Sequence, residues 1–385
     1  MNYSKRIQQL PPYPFAELDK KKKELRAKGK NLIDLSIGDP DLPTPGPIVG
    51  CMKIACAQPE HHRYPPYEGT QQFREAVAKW YLKRFGVKLD SQTEVLALIG
   101  SKEGIANIHY AFVDPGDIVL VPTPGYPVYP VATKFAGGLP YLMPLHKTHN
   151  FLPDLKLIPD NIAQKAKLMH INYPNNPTAA VADRKFFEEV VHFAKKHQTI
   201  ICHDAAYTEI YYDNQKPLSF LQTSGAKEVG IEFHSLSKTF NMTGWRIGFA
   251  VGSAEILKGL AKIKTNVDSG QFAAIQEAGT YALDHEEELT PVIRKTYQDR
   301  RDSFVEALKK MGFKVNPPKA SFYLWMEVPT TGATSSQYAT HLVENSGVVV
   351  TPGTAFGEAG EGFIRFSLTA PKEKLIEAAS RIQKI

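Results

Sequence analysis

The sequence predicts an α/β protein in which a mostly parallel sheet is covered by helices on both faces and a smaller α+β domain is attached. Three observations carry this. Short, almost continuously apolar segments alternate with helical stretches through the middle of the chain, as strands buried on both faces require. Near residue 290 the alternation gives way to a long polar helix followed by strands, which is α+β ordering. A chain of 385 residues also exceeds what one small domain needs.

The elements follow in order. Apolar strands are predicted at Glu94–Ile99 (EVLALI), Asp117–Val121 (DIVLV), Lys167–Asn172 (KLMHIN), Thr199–His203 (TIICH), Ile231–Ser235 (IEFHS) and Ile247–Val251 (IGFAV). Asp183–Lys196 opens with an acid and closes with lysines, as the helix dipole favours. A polar helix is expected over roughly 291–311, strands around Ser321–Val328 and Gly362–Leu368, then a C-terminal helix. The chain divides into an N-terminal arm shared with the small domain (1–45), a large domain (46–285) and a small domain (286–385).

Composition narrows the function classes. Hydrophobic content of 43% and charged content of 22% are ordinary globular values, and the 28 prolines and 27 glycines gather into no linker. The net charge of +6 is modest, and Lys20, Lys21, Lys22 and Lys23 read as a solvated helix face without the aromatic platform of a nucleic-acid surface. Cys51, Cys56 and Cys202 show no CxxC spacing and form no disulfide framework, so no metal site is implied and a reducing compartment is expected. No stretch approaches the roughly 18 apolar residues of a membrane helix, which places the protein in the cytoplasm as an expectation.

In parallel α/β sheets, ligands lie beyond the carboxyl ends of the strands. Those ends are followed here by Gly100-Ser101-Lys102, Pro124-Gly125-Tyr126, Tyr173-Pro174-Asn175-Asn176-Pro177-Thr178, Asp204 with Tyr207, and Ser235-Leu236-Ser237-Lys238. One cleft would thus receive a helix start, an aromatic ring, a carboxamide, a carboxylate with a phenol, and an amine. Lys238 sits among small hydroxyl residues eight positions before Arg246. A desolvated amine near a fixed cation has a lowered pKa and attacks aldehydes at neutral pH.

SLSKTFNMTGWRIGF, INYPNNPT, CHDAAY and RYPPYEG together resemble the class I aminotransferases of pyridoxal-phosphate (PLP) fold type I, over essentially the whole chain. The resemblance implies a seven-stranded, mostly parallel sheet in the large domain, PLP as cofactor, and Lys238 as Schiff-base residue and proton-transferring base. Asp204 would face the ring nitrogen, with Asn176 and Tyr207 at the ring oxygen. Ser101, Lys102, Ser235 and Arg246 would form the phosphate pocket, and Tyr126 would stack on the ring. Tyr64 would reach the phosphate of a neighbouring subunit, which implies a homodimer with shared sites. Arg365, in the apolar segment GFIRFSL, takes the position of the substrate-carboxylate arginine, and Gly38 lies where backbone approaches substrate. One departure stands out. Where the family often reads NPTG this chain has Ala179, and alanine resists the positive φ a glycine allows, so a different local turn is expected.

Within the family the chain looks most like LL-diaminopimelate aminotransferases, which serve lysine biosynthesis with 2-oxoglutarate and glutamate as partner pair. Their substrate carries a second zwitterion, for which Lys102 would bind the carboxylate and Glu68 and Asn266 the ammonium, the latter two from the partner subunit. An alanine or broad-range aminotransferase, a PLP-dependent carbon–sulfur lyase and a non-catalytic binding protein are the alternatives.

Overall fold

The computed structural model describes residues 2–8, 10 and 16–382. The remaining residues of the expected N-terminal arm and of the C-terminal end lie outside the described set. In chain order the strands are β1 (Ile33–Asp34), β2 (Val95–Leu98), β3 (Ile118–Thr123), β4 (Leu139–Pro144), β5 (Ala166–Asn172), β6 (Ile200–Asp204), β7 (Gly230–Ser235), β8 (Gly248–Gly252), β9 (Tyr323–Glu327), β10 (Val348–Val349), β11 (Thr351–Pro352) and β12 (Phe363–Ser367). A seven-stranded sheet runs in the order β2-β8-β7-β6-β5-β3-β4. All neighbours are parallel except β8, which is antiparallel to β2 and β7.

Six of the seven strands fall within two residues of the expected spans. The seventh, β4, was missed because LPYLMP carries two prolines and leaves Leu139 and Leu142 58% and 46% exposed. Proline is tolerated there because β4 is an edge strand with no second neighbour to receive an N–H. The helix Arg184–His197 is capped by Asp183, whose side chain accepts from the Phe186 N–H, and ends at Gln198 with φ 56°. Its buried face, including Phe187 and Val190, contributes roughly 2 kcal/mol per large side chain.

The long polar helix spans Glu286–Lys310, starting five residues earlier than the expected 291. Glu286, Glu287 and Glu288 occupy its first turn and Lys309 and Lys310 its last, so charge at both ends opposes the helix dipole. Beyond it lie the antiparallel sheet β11-β12-β9 and the parallel pair β1-β10. Through that pair Ile33 and Leu35 join one apolar core with Phe304, Leu308, Leu324, Val348 and Phe366.

Two glycines bring elements close to the cleft. A side chain at Gly104 would meet Leu98 at 2.7 Å, so its absence lets the helix Ser101–Phe112 lie tight on the sheet. At Gly38 a Cβ would stand 2.0 Å from the Tyr323 hydroxyl. Only glycine fits between that ring and the cleft.

Candidate active site

The carboxyl ends of β5, β6 and β7 and the loops after β2 and β3 open into a cavity of about 500 Å³, closed on the far side by residues 36–38, Tyr323, Phe356 and Arg365. Ser235, the last residue of β7, caps the one-turn helix Leu236–Thr239 by accepting from the Ser237 N–H. Lys238 is thereby raised into the cavity, where its Nζ donates to the Gly38 carbonyl at 3.1 Å and lies 5.8 Å from the Phe322 ring. Burial lowers its pKa to about 8; Arg246 and Arg365 push the same way, against Asp39 and Asp204. At pH 7 the free amine is then ~10% populated, against ~0.03% for an ordinary lysine.

Asp204, at the end of β6, lies on the cavity floor. Its Oδ2 accepts from the Tyr129 hydroxyl at 2.8 Å. Its Oδ1 is buried without a hydrogen-bond partner. Burial raises its pKa, with Tyr129 and His203 pulling back. A buried carboxylate with one unsatisfied oxygen is costly, and a cationic N–H donor in the cavity would satisfy it. Tyr129 is itself backed by His170, stacked at 4.9 Å, whose Nε2 lies 3.1 Å from His109 Nε2.

Asn176 follows β5 in a turn held by its N–H to Asn172 Oδ1 at 2.8 Å and by Asn175 Oδ1, which accepts from the Thr178 N–H and hydroxyl. Arg365 Nη1 donates to Asn176 Oδ1 at 2.8 Å, which leaves the Asn176 Nδ2 as the donor for a ligand. Arg365 Nη2 donates to the Ser36 carbonyl at 2.7 Å, and the guanidinium lies over the rings of Tyr323 and Phe356. The Tyr207 and Tyr323 hydroxyls are 2.9 Å apart, and burial raises the pKa of both.

At the opposite end Ser101 and Lys102 begin their helix, with Ser235, Ser237 and Arg246 beside them. Helix N–H groups, hydroxyls and a guanidinium make an anion pocket. Gly100 takes φ 75°, a conformation that favours glycine, and a Cβ there would press on the Arg246 guanidinium at 2.1 Å from Nη2. Tyr126 lines the same cavity, 5.9 Å from Lys102 Nζ. The whole fits a flat nitrogen heterocycle bearing an aldehyde and an anionic arm.

Lys238, Asp204, Tyr207, Asn176, Tyr126, Ser101, Lys102, Ser235, Arg246, Arg365 and Gly38 thus all line one cavity. Tyr64, Glu68 and Asn266 do not: Tyr64 is 87% exposed, and Glu68 and Asn266 are surface residues. They share one region, since Gly270 packs on Pro65 and Pro66.

Sequence reasoning missed Tyr129, Tyr323, Asn172 and Lys22. Tyr129 stands on the helix Val128–Phe135, three residues after Tyr126 in the loop before it, and the two rings meet edge to face at 5.9 Å. Two expectations are corrected. Ala179 takes φ 60° within the turn a glycine would form, its N–H donating to the Asn175 carbonyl at 2.9 Å, so the turn is kept at about 1 kcal/mol of strain. Lys22 is not solvated: it is 7% exposed and paired to Asp19 and Asp34, because the run wraps a helix and one position in four faces inward. Among the described residues no group of His, Cys, Asp or Glu is arranged for a metal, and no helix is long and apolar enough to cross a membrane.

Comparisons with known proteins agree with this geometry. The family model for aminotransferase class I and II matches residues 30–382. The LL-diaminopimelate aminotransferase of Aquifex aeolicus is 55% identical over 383 residues, covering 100% of this chain and 99% of its own. Among solved structures, substrate-bound BacF from Bacillus subtilis superposes with a TM-score of 0.95 at 40% identity, covering 100% of this chain and 98% of its own. A Thermus thermophilus aspartate aminotransferase mutant superposes with a TM-score of 0.92 at 30% identity, covering 99% and 98%.

Proposed function

The chain belongs to the class I and II aminotransferases, and on that premise we propose that it exchanges an amino group between LL-diaminopimelate and 2-oxoglutarate in lysine biosynthesis, with pyridoxal 5'-phosphate held at Lys238. The observation that supports this most is the juxtaposition, in one cavity, of a lysine amine of lowered pKa, the unsatisfied Asp204 Oδ1 and Arg365. Pyridoxal phosphate, when bound, supplies an aldehyde that joins amines reversibly and a ring that withdraws electrons from the substrate's Cα.

The residues divide the work. Ser101, Lys102, Ser235 and Arg246 would hold the phosphate, and Tyr126 the ring face. Asp204 would keep a proton on the ring nitrogen, and Asn176 Nδ2 with the Tyr207 hydroxyl would donate to the ring oxygen. Arg365 and Asn176 would fix the substrate α-carboxylate, with Gly38 leaving room for it. Once released from the aldehyde, Lys238 Nζ would accept the proton from substrate Cα and return it to the cofactor side of the bond.

The surface around Tyr64 supports a homodimer with shared sites. Tyr64, Tyr67, Val267 and Phe272 are exposed apolar side chains of the region that carries Glu68 and Asn266. A second copy seated there would bring Tyr64 toward its neighbour's phosphate pocket and Glu68 and Asn266 toward the distal end of its substrate. We place the large domain at 46–285, the small domain at 286–385 with the N-terminal arm, and the protein in the cytoplasm.

A substrate panel tests the reading. The purified protein is expected to form glutamate from LL-diaminopimelate and 2-oxoglutarate; robust activity on alanine with none on diaminopimelate overturns the substrate, and pyruvate with ammonia from cystathionine overturns the reaction. The amine gives a second test. Capture of pyridoxal by the cofactor-free protein should accelerate about tenfold per pH unit below about 8 and level off above it, because the free amine is the nucleophile and its lowered pKa sets the midpoint. A rate still climbing toward pH 10 contradicts it.

A further inference from the structure

We infer that His203, the residue before Asp204, is a positioning residue for the proposed amino-group exchange: a buried imidazolium clamped between Glu232 and the Tyr173 carbonyl, it sets a fixed positive charge behind Asp204 and anchors the turn that presents Asn176. The inference rests on the proposed activity and adds residues on the face of the sheet turned away from the cavity.

Successive side chains of a strand point to opposite faces, so with Asp204 lining the cavity, His203 of β6 points away from it into the core. There it is fully buried, its ring 5.4 Å from Phe187 and 6.4 Å from Phe220. Its Nδ1 lies 2.5 Å from Glu232 Oε1 on β7, and its Nε2 lies 3.0 Å from the Tyr173 carbonyl just beyond β5. A carbonyl has no proton to give, so Nε2 is the donor to Tyr173.

The surroundings of Glu232 make Nδ1 a donor as well. Glu232 Oε1 also accepts from the Phe220 N–H at 2.8 Å, and Oε2 accepts from the Ser219 hydroxyl at 2.5 Å and from the Tyr81 hydroxyl. Four donors fill the lone-pair sites of a carboxylate and leave no place for its own proton. Burial pushes the Glu232 pKa up, but His203 and His234 outweigh it and hold the carboxyl well below its ordinary range. Burial lowers the His234 pKa in spite of Glu232, so His203, with both nitrogens donating, is the cation of the pair. An apolar pair of the same volume would pack this core as well. It would not place a charge next to Asp204.

That charge acts on the cavity floor. Burial raises the Asp204 pKa, and among the groups that lower it His203 stands after Tyr129 and ahead of Lys238. Tyr207 and Tyr323 are held neutral by burial. Lys238 changes its charge as it reacts, whereas His203 is sealed from the cavity. The same ring also joins three strand ends, because Asn172 of β5 donates from Nδ2 to the Asp204 carbonyl at 2.7 Å while His203 holds Tyr173 and Glu232.

Nitrogen NMR on the cofactor-free protein tests the charge. The His203 ring, assigned by its loss in His203→Gln or, should that variant not fold, in His203→Asn, should show a proton coupled to each nitrogen at pH 7, and Glu232→Gln should leave one nitrogen bare. In the holoenzyme, replacing His203 or Glu232 in this way should move the acid limb of kcat/KM upward by about one pH unit, the effect of losing a nearby charge. Activity then falls about tenfold on the acid limb and recovers to within about threefold on the alkaline side. A bare nitrogen in the wild type at pH 7, or a loss that is the same at every pH, overturns the inference. The NMR measurement needs neither cofactor nor substrate, so failure of the proposed activity in the substrate panel is read apart from it.

Discussion

Lys238→Ala abolishes amino-group exchange, lowering kcat by at least about 10⁴-fold, while the protein remains folded. The loss is large because one atom serves twice, as the attachment point for the aldehyde and as the base that moves the substrate proton, and alanine offers neither. The fold survives because Nζ contributes one hydrogen bond, to the Gly38 carbonyl at 3.1 Å. The sign of the pH linkage agrees. A lysine whose folded pKa lies near 8 instead of 10.5 destabilises the folded state fully below pH 8, and less as pH rises toward 10.5. Removing the amine at pH 7 therefore leaves the melting temperature unchanged or higher. Lys238→Arg should be equally inactive, since a guanidinium keeps the charge and lacks a nucleophile. Steady-state assays with a thermal melt check both, together with loss of the borohydride-reducible visible absorbance. Activity within tenfold of wild type would show that another residue carries the chemistry.

Lys238, Asp204 and Asn176 were legible in the sequence because each follows an apolar strand, and a parallel sheet carries strand ends to one edge. The residues that complete the site were not legible for the same reason in reverse. Tyr323 meets Tyr207 across 116 residues, and Tyr129 meets Asp204 across 75; such pairings depend on how sheets and helices stack, which no local period encodes. Lys22 was hidden inside a run of four lysines, where composition speaks for solvent and only the helix phase distinguishes the buried one. At Ala179 the propensity argument pointed the wrong way. The turn is fixed by Asn172, Asn175 and Thr178, and this network outweighs the strain of one alanine. Tyr64, Glu68 and Asn266 lie outside their own chain's cavity, so no reading of a single copy places them against a ligand.

Asp204→Asn is the second large loss, about 10³-fold in kcat, and its comparison with Tyr129→Phe separates charge from shape. Asparagine fills the same volume and still accepts from the Tyr129 hydroxyl, so packing beneath the cavity is kept. What disappears is the negative charge that would hold a proton on a ring nitrogen. Tyr129→Phe keeps the charge and removes one donor to Oδ2. Burial already raises the Asp204 pKa, and the Tyr129 hydrogen bond is the largest of the opposing influences. Without it the pKa rises further, a higher pH is needed to ionise the group, and the acid limb of the kcat/KM profile moves upward. Near neutral pH the cost is about tenfold, in keeping with one hydrogen bond to a charged group. Charge is the controlling quantity if Asp204→Asn is far worse than Tyr129→Phe and only the phenylalanine variant recovers as pH is raised. Equal losses in the two variants, with no change in either pH profile, would instead make Asp204 a packing residue and remove the physical basis for electron withdrawal at this site.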